Sequence, residues 1–386
     1  MTQRFSNLSR RQFLGGLASS ALVVGAGGLF MPALGQDNLL DFRLGADPLL
    51  LHFNENSLGM SPMAIKAVQD VAVNAANRYP DNFVADLRET LGKRHGVPTE
   101  QVILGNGSTE VIQAIVTVAA RMGAKVIEPD PTFGDVRRYA KAEGMQVIAV
   151  PVGGDFVTDI AALRAAAEAT GGPLLINICN PNNPTGTIVD STALFNWIDA
   201  APDDHIFLLD EAYVDYAEQN PAFKSGLALV QAGRENVVVT RTFSKVYGMA
   251  GMRIGYGLAA PKTAKSVRRF SANFNLSATG SAAALASLKD EAYREASVAS
   301  NARGRATLLE TLDGLGLMHI ESNTNFVLHR INSDVKPYQD RMMANGVRVG
   351  RRMTADEGWN RISIGTPDEM VEFTRVLRAF RERGWV

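Results

Sequence analysis

Four polar clusters in this 386-residue chain carry residue types that can do chemistry, and each directly follows a short apolar run. Gly105-Asn106-Gly107-Ser108-Thr109-Glu110 follows Val102–Leu104 and precedes an apolar stretch from Val111 to Ala120. Glycine lets backbone approach a ligand closely, and the free N–H groups of a helix start attract an anion. The cluster is therefore a phosphate cradle or a plain capped turn; it lacks the G-x-G-x-x-G spacing of a dinucleotide fingerprint. Asn180-Pro181-Asn182-Asn183-Pro184-Thr185-Gly186 fixes a rigid loop after Leu174–Ile178. That loop is a structural turn or a holder for Asn183 as a donor to a ring oxygen. Asp210-Glu211-Ala212-Tyr213 ends the run Ile206–Leu209. A carboxylate at the tip of a buried strand is costly without a cationic partner, and a protonated pyridine nitrogen would be one. Thr242-Phe243-Ser244-Lys245 follows Val237–Val239 and leads to Gly248, Gly251 and Arg253. A lysine there is a surface cation or a nucleophile, since an amine that is partly desolvated near other cations loses its proton readily.

The elements around these clusters have a common pattern. Ser61-Pro62 is an N-cap with proline at the first helical position. Ala64, Ala67, Val68, Val71, Ala72 and Ala75 then recur at helical spacing. Between helical stretches lie the short runs Val102–Leu104, Val126–Ile127, Val147–Val150, Leu174–Ile178, Ile206–Leu209 and Val237–Val239. Such runs suit buried strands flanked by helices, and the alternation predicts an α/β fold with a mostly parallel sheet. Ligands bind such sheets at the carboxyl ends of the strands, where all four clusters fall. The last part of the chain differs: a long helical stretch from Ser277 to Leu312, strand-like Asn325–Leu328, a helix near Tyr338–Asn345, strand-like Arg361–Ile364 and a final helix from Pro367 to Arg383. The expected division is a large domain over 61–272, a smaller C-terminal α+β domain over 273–386, and an arm over 36–60.

Taken in order, the four clusters and the arginine eight positions after Lys245 form a specific set. The chain resembles the fold type I pyridoxal-phosphate-dependent aminotransferases (class I/II), and within them the histidinol-phosphate aminotransferase branch, over about residues 50–386. Asn54-Glu55-Asn56 and Arg78-Tyr79-Pro80-Asp81 match that branch too. The resemblance implies pyridoxal 5'-phosphate as cofactor. Lys245 would be the Schiff-base lysine and proton shuttle, and Asp210 the partner of the pyridinium nitrogen, keeping the ring an electron sink. Asn183 and Tyr213 would bind the ring oxygen, and Phe133 would stack on the ring. Ser108, Thr109, Thr242 and Arg253 would hold the phosphate. Tyr79 would reach the phosphate in a neighbouring subunit, implying a homodimer. Arg361, with Asn54 and Arg351, would bind the substrate, a small-molecule amino donor or 2-oxo acid acceptor.

Three positions depart from the branch. Ser57 stands where proline follows N-E-N, Thr109 stands where the phosphate loop has aspartate, and Gly350 stands where the segment opened by Gly346 has an arginine, with Arg351 and Arg352 after it. The same scaffold also supports amino acid decarboxylation or β-elimination, because the cofactor stabilises a carbanion at Cα and the protein selects the bond that breaks. A binding protein that retained the cofactor site is the reading from another class. The missing glycine fingerprint argues against a nicotinamide dehydrogenase.

The N-terminus has a different grammar. Ser9-Arg10-Arg11-Gln12-Phe13-Leu14 resembles a twin-arginine export signal, an apolar run from Leu17 to Leu34 follows, and Ala33-Leu34-Gly35 supplies small residues for cleavage. Residues 1–35 are thus expected to be a signal peptide and the mature protein periplasmic. That route carries folded proteins, which suits an enzyme loaded with its cofactor before export. Histidine biosynthesis is cytoplasmic, so an exported enzyme is expected to act instead on amino acids such as the aromatic ones. A net charge of −1 provides no field for nucleic acid. The five histidines have no metal-ligand spacing, and Cys179 is the single cysteine, so neither a metal site nor an internal disulfide is expected.

Overall fold

The computed structural model describes residues 39, 40, 42 and 47–386, so the expected signal peptide at 1–35 lies outside the described residues. The strands, in chain order, are β1 (Leu49–Leu51), β2 (Val102–Asn106), β3 (Lys125–Asp130), β4 (Val147–Pro151), β5 (Leu174–Cys179), β6 (His205–Asp210), β7 (Val237–Thr242), β8 (Ile254–Ala259), β9 (Phe326–Arg330), β10 (Val347–Val349) and β11 (Trp359–Ser363). Seven of them form one sheet in the order β2-β8-β7-β6-β5-β3-β4. The pairs β3–β4, β3–β5, β5–β6 and β6–β7 are parallel, while β8 runs antiparallel to both β7 and β2. The fold is α/β with a mixed, largely parallel sheet, as expected. All six apolar runs lie in its strands.

Strands β5, β6 and β7 are buried at every position, as continuous apolar runs covered by helices on both faces must be. One apolar cluster packs Leu174, Ile176, Phe207, Leu209, Val237 and Val239 on one side of the sheet. Another packs Leu175, Leu208 and Val238 with Val111, Ile115 and Val116 of the helix Ser108–Arg121 on the other. Successive residues of one strand thus feed opposite cores. The helix Pro62–Asn74 begins as its sequence dictates, with the Ser61 hydroxyl accepting from the Ala64 N–H at 3.1 Å.

A third apolar cluster holds Leu308, Leu312, Tyr338, Phe373 and Phe380 together with Leu40 and Leu51 from the start of the described chain. Strand β1 pairs in parallel with β10, and β11 pairs antiparallel with β9. The long helical stretch expected over 277–312 is two helices, Ala278–Lys289 and Glu291–Gly314. They meet at Asp290, whose backbone (φ −101°, ψ 67°) leaves the helical region and whose carboxylate accepts from the Tyr293 N–H at 3.2 Å. Aspartate as an N-cap competes with helix continuation, and here the cap wins. Leu40–Val386 form one compact unit.

Candidate active site

Asp210 is the last residue of β6 and is only 4% exposed. The Thr240 hydroxyl donates to its Oδ1 at 2.9 Å. Burial dominates its electrostatics and lifts the carboxyl to about 6. It has no ion pair among the described residues. The next residue holds the strand end in place. Glu211 accepts from Arg241 (Nη2 at 2.9 Å), from the Ser225 hydroxyl and from the Gly226 N–H. A buried carboxylate with this fixed backbone and no counter-charge fits a cationic ring nitrogen.

Tyr213 turns its buried phenol toward Asn183 and Asn54. Their Nδ2 groups lie 3.3 and 3.0 Å from Oη. Asn183 stands in the rigid loop after β5, and its Oδ1 accepts from Arg361 Nη1 at 2.6 Å. Arg361, on β11 and 6% exposed, also donates from Nη2 to the His52 carbonyl at 3.0 Å. Its Nε is buried without a partner among the described residues. Asn54 adopts a left-handed backbone (φ 54°), an uncommon state that asparagine tolerates better than most residues. The Ser363 hydroxyl donates to its Oδ1 at 3.1 Å, and Asn325 Nδ2 donates to its carbonyl at 2.9 Å.

Lys245 reaches into the same region. Its Nζ donates to the Asn54 carbonyl at 3.2 Å and to the Phe53 carbonyl at 3.5 Å, and stands 5.5 Å from the centroid of the Tyr213 ring. Burial, with the Arg361 charge next in weight, pulls the amine down to about 8. An amine poised there is available as a nucleophile and as a base near neutral pH.

At the other end, Ser108 opens the helix Ser108–Arg121 with Gly107 as its cap (φ 73°). A Cβ at Gly107 would run into the Arg253 guanidinium, and one at Gly255 would collide with the backbone of Gly107 and Ser108. Arg253 donates to the Asn106 carbonyl at 3.4 Å and to the Ser244 hydroxyl at 3.5 Å. The Thr242 hydroxyl donates to that same Ser244 oxygen at 2.8 Å. A helix start, a guanidinium and two hydroxyls thus converge, the donor set that a phosphate requires. Thr109 differs from the rest, because its hydroxyl is turned to the Asp135 carboxylate at 3.1 Å.

Phe133 is half-buried on a loop tied to the asparagine loop, with the Thr132 hydroxyl donating to Asn182 Oδ1 at 2.8 Å and Asn182 Nδ2 donating to the Pro131 carbonyl at 3.0 Å. Two expected residues stand apart. Tyr79 is 75% exposed and packs on Phe274, with ring centroids 4.7 Å apart. Arg351 is exposed and makes no hydrogen bond among the described residues. Its charge is nonetheless felt by Arg361. Sequence reasoning passed over Ser244, Thr240, Ser363, Asn325 and the His52 carbonyl. Ser244 alone had a signal, its place between Thr242 and Lys245.

The described groups fit pyridoxal phosphate at both ends: a buried carboxylate for the ring nitrogen, two amides and a phenol for the ring oxygen, and a glycine-lined cradle for the phosphate. Residues 46–377 match the family of class I and II aminotransferases. The chain is 38% identical over 336 residues to a histidinol-phosphate aminotransferase of Moorella thermoacetica, covering 86% of this chain and 85% of that one. A histidinol-phosphate aminotransferase of Symbiobacterium thermophilum is 35% identical over 86% of this chain and 90% of its own. The crystal structure of histidinol-phosphate aminotransferase from Sinorhizobium meliloti in complex with pyridoxal-5'-phosphate superposes with a TM-score of 0.81 at 27% identity, covering 87% of this chain and 91% of that one. A site built for this cofactor, on this sheet and in this sequence context, makes the chain a pyridoxal-phosphate-dependent member of the class I and II aminotransferase family.

Proposed function

We propose that this aminotransferase is an exported enzyme that takes its amino group from an amino acid, aromatic ones included, and passes it to a 2-oxo acid. Histidinol phosphate is the other candidate donor. One observation carries the reading of the donor. Arg361 is a buried guanidinium of the site, and its Nε has no partner among the described residues. A buried cation in that state favours an anionic ligand. The nearby arginines add little at depth. A side chain at position 350 would collide with the Arg361 carbonyl, Arg351 is exposed, and Arg352 pairs with Glu357 at 2.6 Å. One buried guanidinium suits a single carboxylate better than a phosphate dianion.

In the proposed mechanism Arg361 binds and orients the donor carboxylate. Lys245 Nζ attaches the cofactor and moves the proton at the substrate's α-carbon. Asp210 holds a proton on the ring nitrogen, and Asn183 and Tyr213 fix the ring oxygen. Bound there, pyridoxal phosphate supplies the electron sink. Ser108, Thr242, Ser244 and Arg253 anchor its phosphate. Two features support the finer statements. Arg10-Arg11 followed by the apolar run to Leu34 favours twin-arginine export and a periplasmic location. The exposed Tyr79–Phe274 pair favours a second copy of the chain covering it.

A donor screen tests the substrate reading. Purified protein is given each amino acid, or histidinol phosphate, with 2-oxoglutarate. Turnover of an aromatic amino acid is expected. Rapid histidinol-phosphate transamination with no amino acid turned over would overturn it, and release of carbon dioxide or ammonia without a new amino acid would favour the decarboxylase or lyase chemistry of the same scaffold. Arg10→Lys with Arg11→Lys should hold the protein in the cytoplasm.

A further inference from the structure

Behind the phosphate loop lies a cavity of about 560 Å³ between the first turns of the helix Asp81–His95 and the segment Arg268–Asn275. Two guanidinium groups, Arg88 and Arg268, line it. Arg268 is anchored by the carbonyls of Glu100 and Val102. Arg88 makes no hydrogen bond or ion pair among the described residues, and its Nε is buried. Ser271, on the opposite wall, has a buried hydroxyl that is likewise without a partner among the described residues. Asp81 lines the cavity as well, but it is exposed and pairs with neither arginine.

Two like charges set side by side repel, and a half-buried guanidinium without an acceptor loses hydration for nothing in return. The electrostatics follow: burial and the Arg268 charge both push Arg88 below its ordinary value. The wall opposite is strained too. Phe274 holds a left-handed backbone (φ 53°), a state costly for a bulky residue and found where surrounding structure or a ligand enforces it. An anion answers the arginine pair: it accepts from the Arg88 guanidinium, it screens Arg88 from Arg268, and a rotamer change turns the Ser271 hydroxyl, closed to solvent as the chain stands, toward it. We propose that this cavity is a second anion site, separate from the phosphate loop, which takes inorganic phosphate or a small carboxylate.

The site bears on the cofactor cradle through one residue. The Asn275 carbonyl accepts from Asn106 Nδ2 at 2.7 Å, and Asn275 Nδ2 donates to Glu110 at 2.9 Å. Glu110 in turn accepts from the Asn106 N–H at 2.6 Å. Asn106 is the residue before Gly107, so an anion that steadies the segment Ser271–Asn275 also steadies the cradle.

The test is calorimetric titration of the cofactor-loaded protein with inorganic phosphate at fixed ionic strength. Cofactor already fills the phosphate loop, and an Arg361→Met background removes the substrate-anion site, so the heat that persists there reports the second site alone, and turnover is not needed. That protein is expected to take one phosphate per chain. In the same background Arg88→Gln should bind it about tenfold or more weakly, and Ser271→Ala, which deletes only the orphan hydroxyl, a few-fold more weakly. Visible cofactor absorption should be unchanged in both, certifying the fold. No saturable phosphate binding by the Arg361→Met protein overturns the proposal, including the case in which a carboxylate of a second copy fills the cavity. Equal binding with and without either added substitution does the same.

Discussion

Arg361 and Asn183 are joined by a 2.6 Å hydrogen bond across 178 positions of sequence. Asn183 then reaches the Tyr213 phenol at 3.3 Å. The residue proposed to grip the substrate anion is therefore bonded to the residue proposed to grip the ring oxygen. Arg361→Lys keeps the charge but loses the planar fork. It should lower kcat/KM for amino acid donors by about a hundredfold, since truncating a buried charge-assisted contact costs roughly 2–3 kcal/mol. Asn183→Ala should lower kcat as well, with a smaller rise in KM. Steady-state kinetics on both variants check the split.

Lys245 carries a pH prediction. Burial and Arg361 hold its amine at about 8, below the ordinary ~10.4. Below that value the amine is protonated and cannot attack. The rate at which cofactor-free protein takes up pyridoxal phosphate should therefore rise with pH through about 8. Removing a neighbouring positive charge, as in Arg361→Met, should move the inflection upward. Lys245→Ala should lose both the covalently bound chromophore and transamination, with activity down about a thousandfold or more. Stopped-flow absorbance over pH 6–10 follows the first effect. An inflection that stays put in Arg361→Met would count against the assigned cause.

Asp210 carries another, with the opposite sense. Its carboxyl stands at about 6 in the protein without cofactor, above the ordinary ~3.9. The folded state thus holds the proton more tightly than the unfolded one, so the contribution to stability is full below about 4 and is lost as pH rises through about 6. Asp210→Asn should leave the melting temperature of cofactor-free protein almost unchanged at pH 4 and raise it at pH 7. Saturating cofactor should reverse the order at pH 7, because a ring cation stabilises the ionised carboxylate and not the amide. Calorimetric melts at the two pH values, with and without cofactor, decide it.

Gly255→Ala addresses the cradle. The new methyl would press on the backbone of Gly107 and Ser108, so β2 and β8 must part locally. A loss of about 1–3 kcal/mol in stability is expected, as for other overpacked sites, together with weaker cofactor retention. Denaturant melts and dialysis of loaded protein measure the two. Intact retention at unchanged stability would mean that the strands have more room than their pairing implies.

Much of this was legible beforehand for physical reasons. Continuous Val/Ile/Leu runs mark strands, and all six were found, although the edge strand β4 is only half-buried. Strand β8 was not, because Ile254-Gly-Tyr-Gly-Leu-Ala259 is half composed of residues poor in strand propensity, and its glycines answer to the phosphate loop pressed against it. Strands β1 and β10 are three residues each and lie nearly 300 positions apart, beyond any local pattern. At the site, Lys245, Asp210 and Asn183 announced themselves by chemistry at strand ends, while Tyr213 came from the family resemblance. Ser363, Asn325 and the His52 carbonyl did not, since their parts are hydrogen bonds to Asn54 and Arg361, fixed only when distant segments meet. The break at Asp290 was readable in principle, as aspartate three residues before Tyr293, but the surrounding alanines masked it.

Strand β8 runs against its two neighbours, so its first residues lie beside the last residues of β2 and β7. The Arg253 carbonyl accepts from the Gly107 N–H and the Ile254 carbonyl from the Phe243 N–H, both at 3.0 Å. Cradle, arginine and lysine segment are therefore laced to one another by main chain, not merely by loops that happen to meet. Spacing among them is inherited from ladder rungs and changes only in whole steps. Divergence of side chains around the rim leaves that spacing untouched, whereas a single residue inserted within β8 has no gradual way to be absorbed.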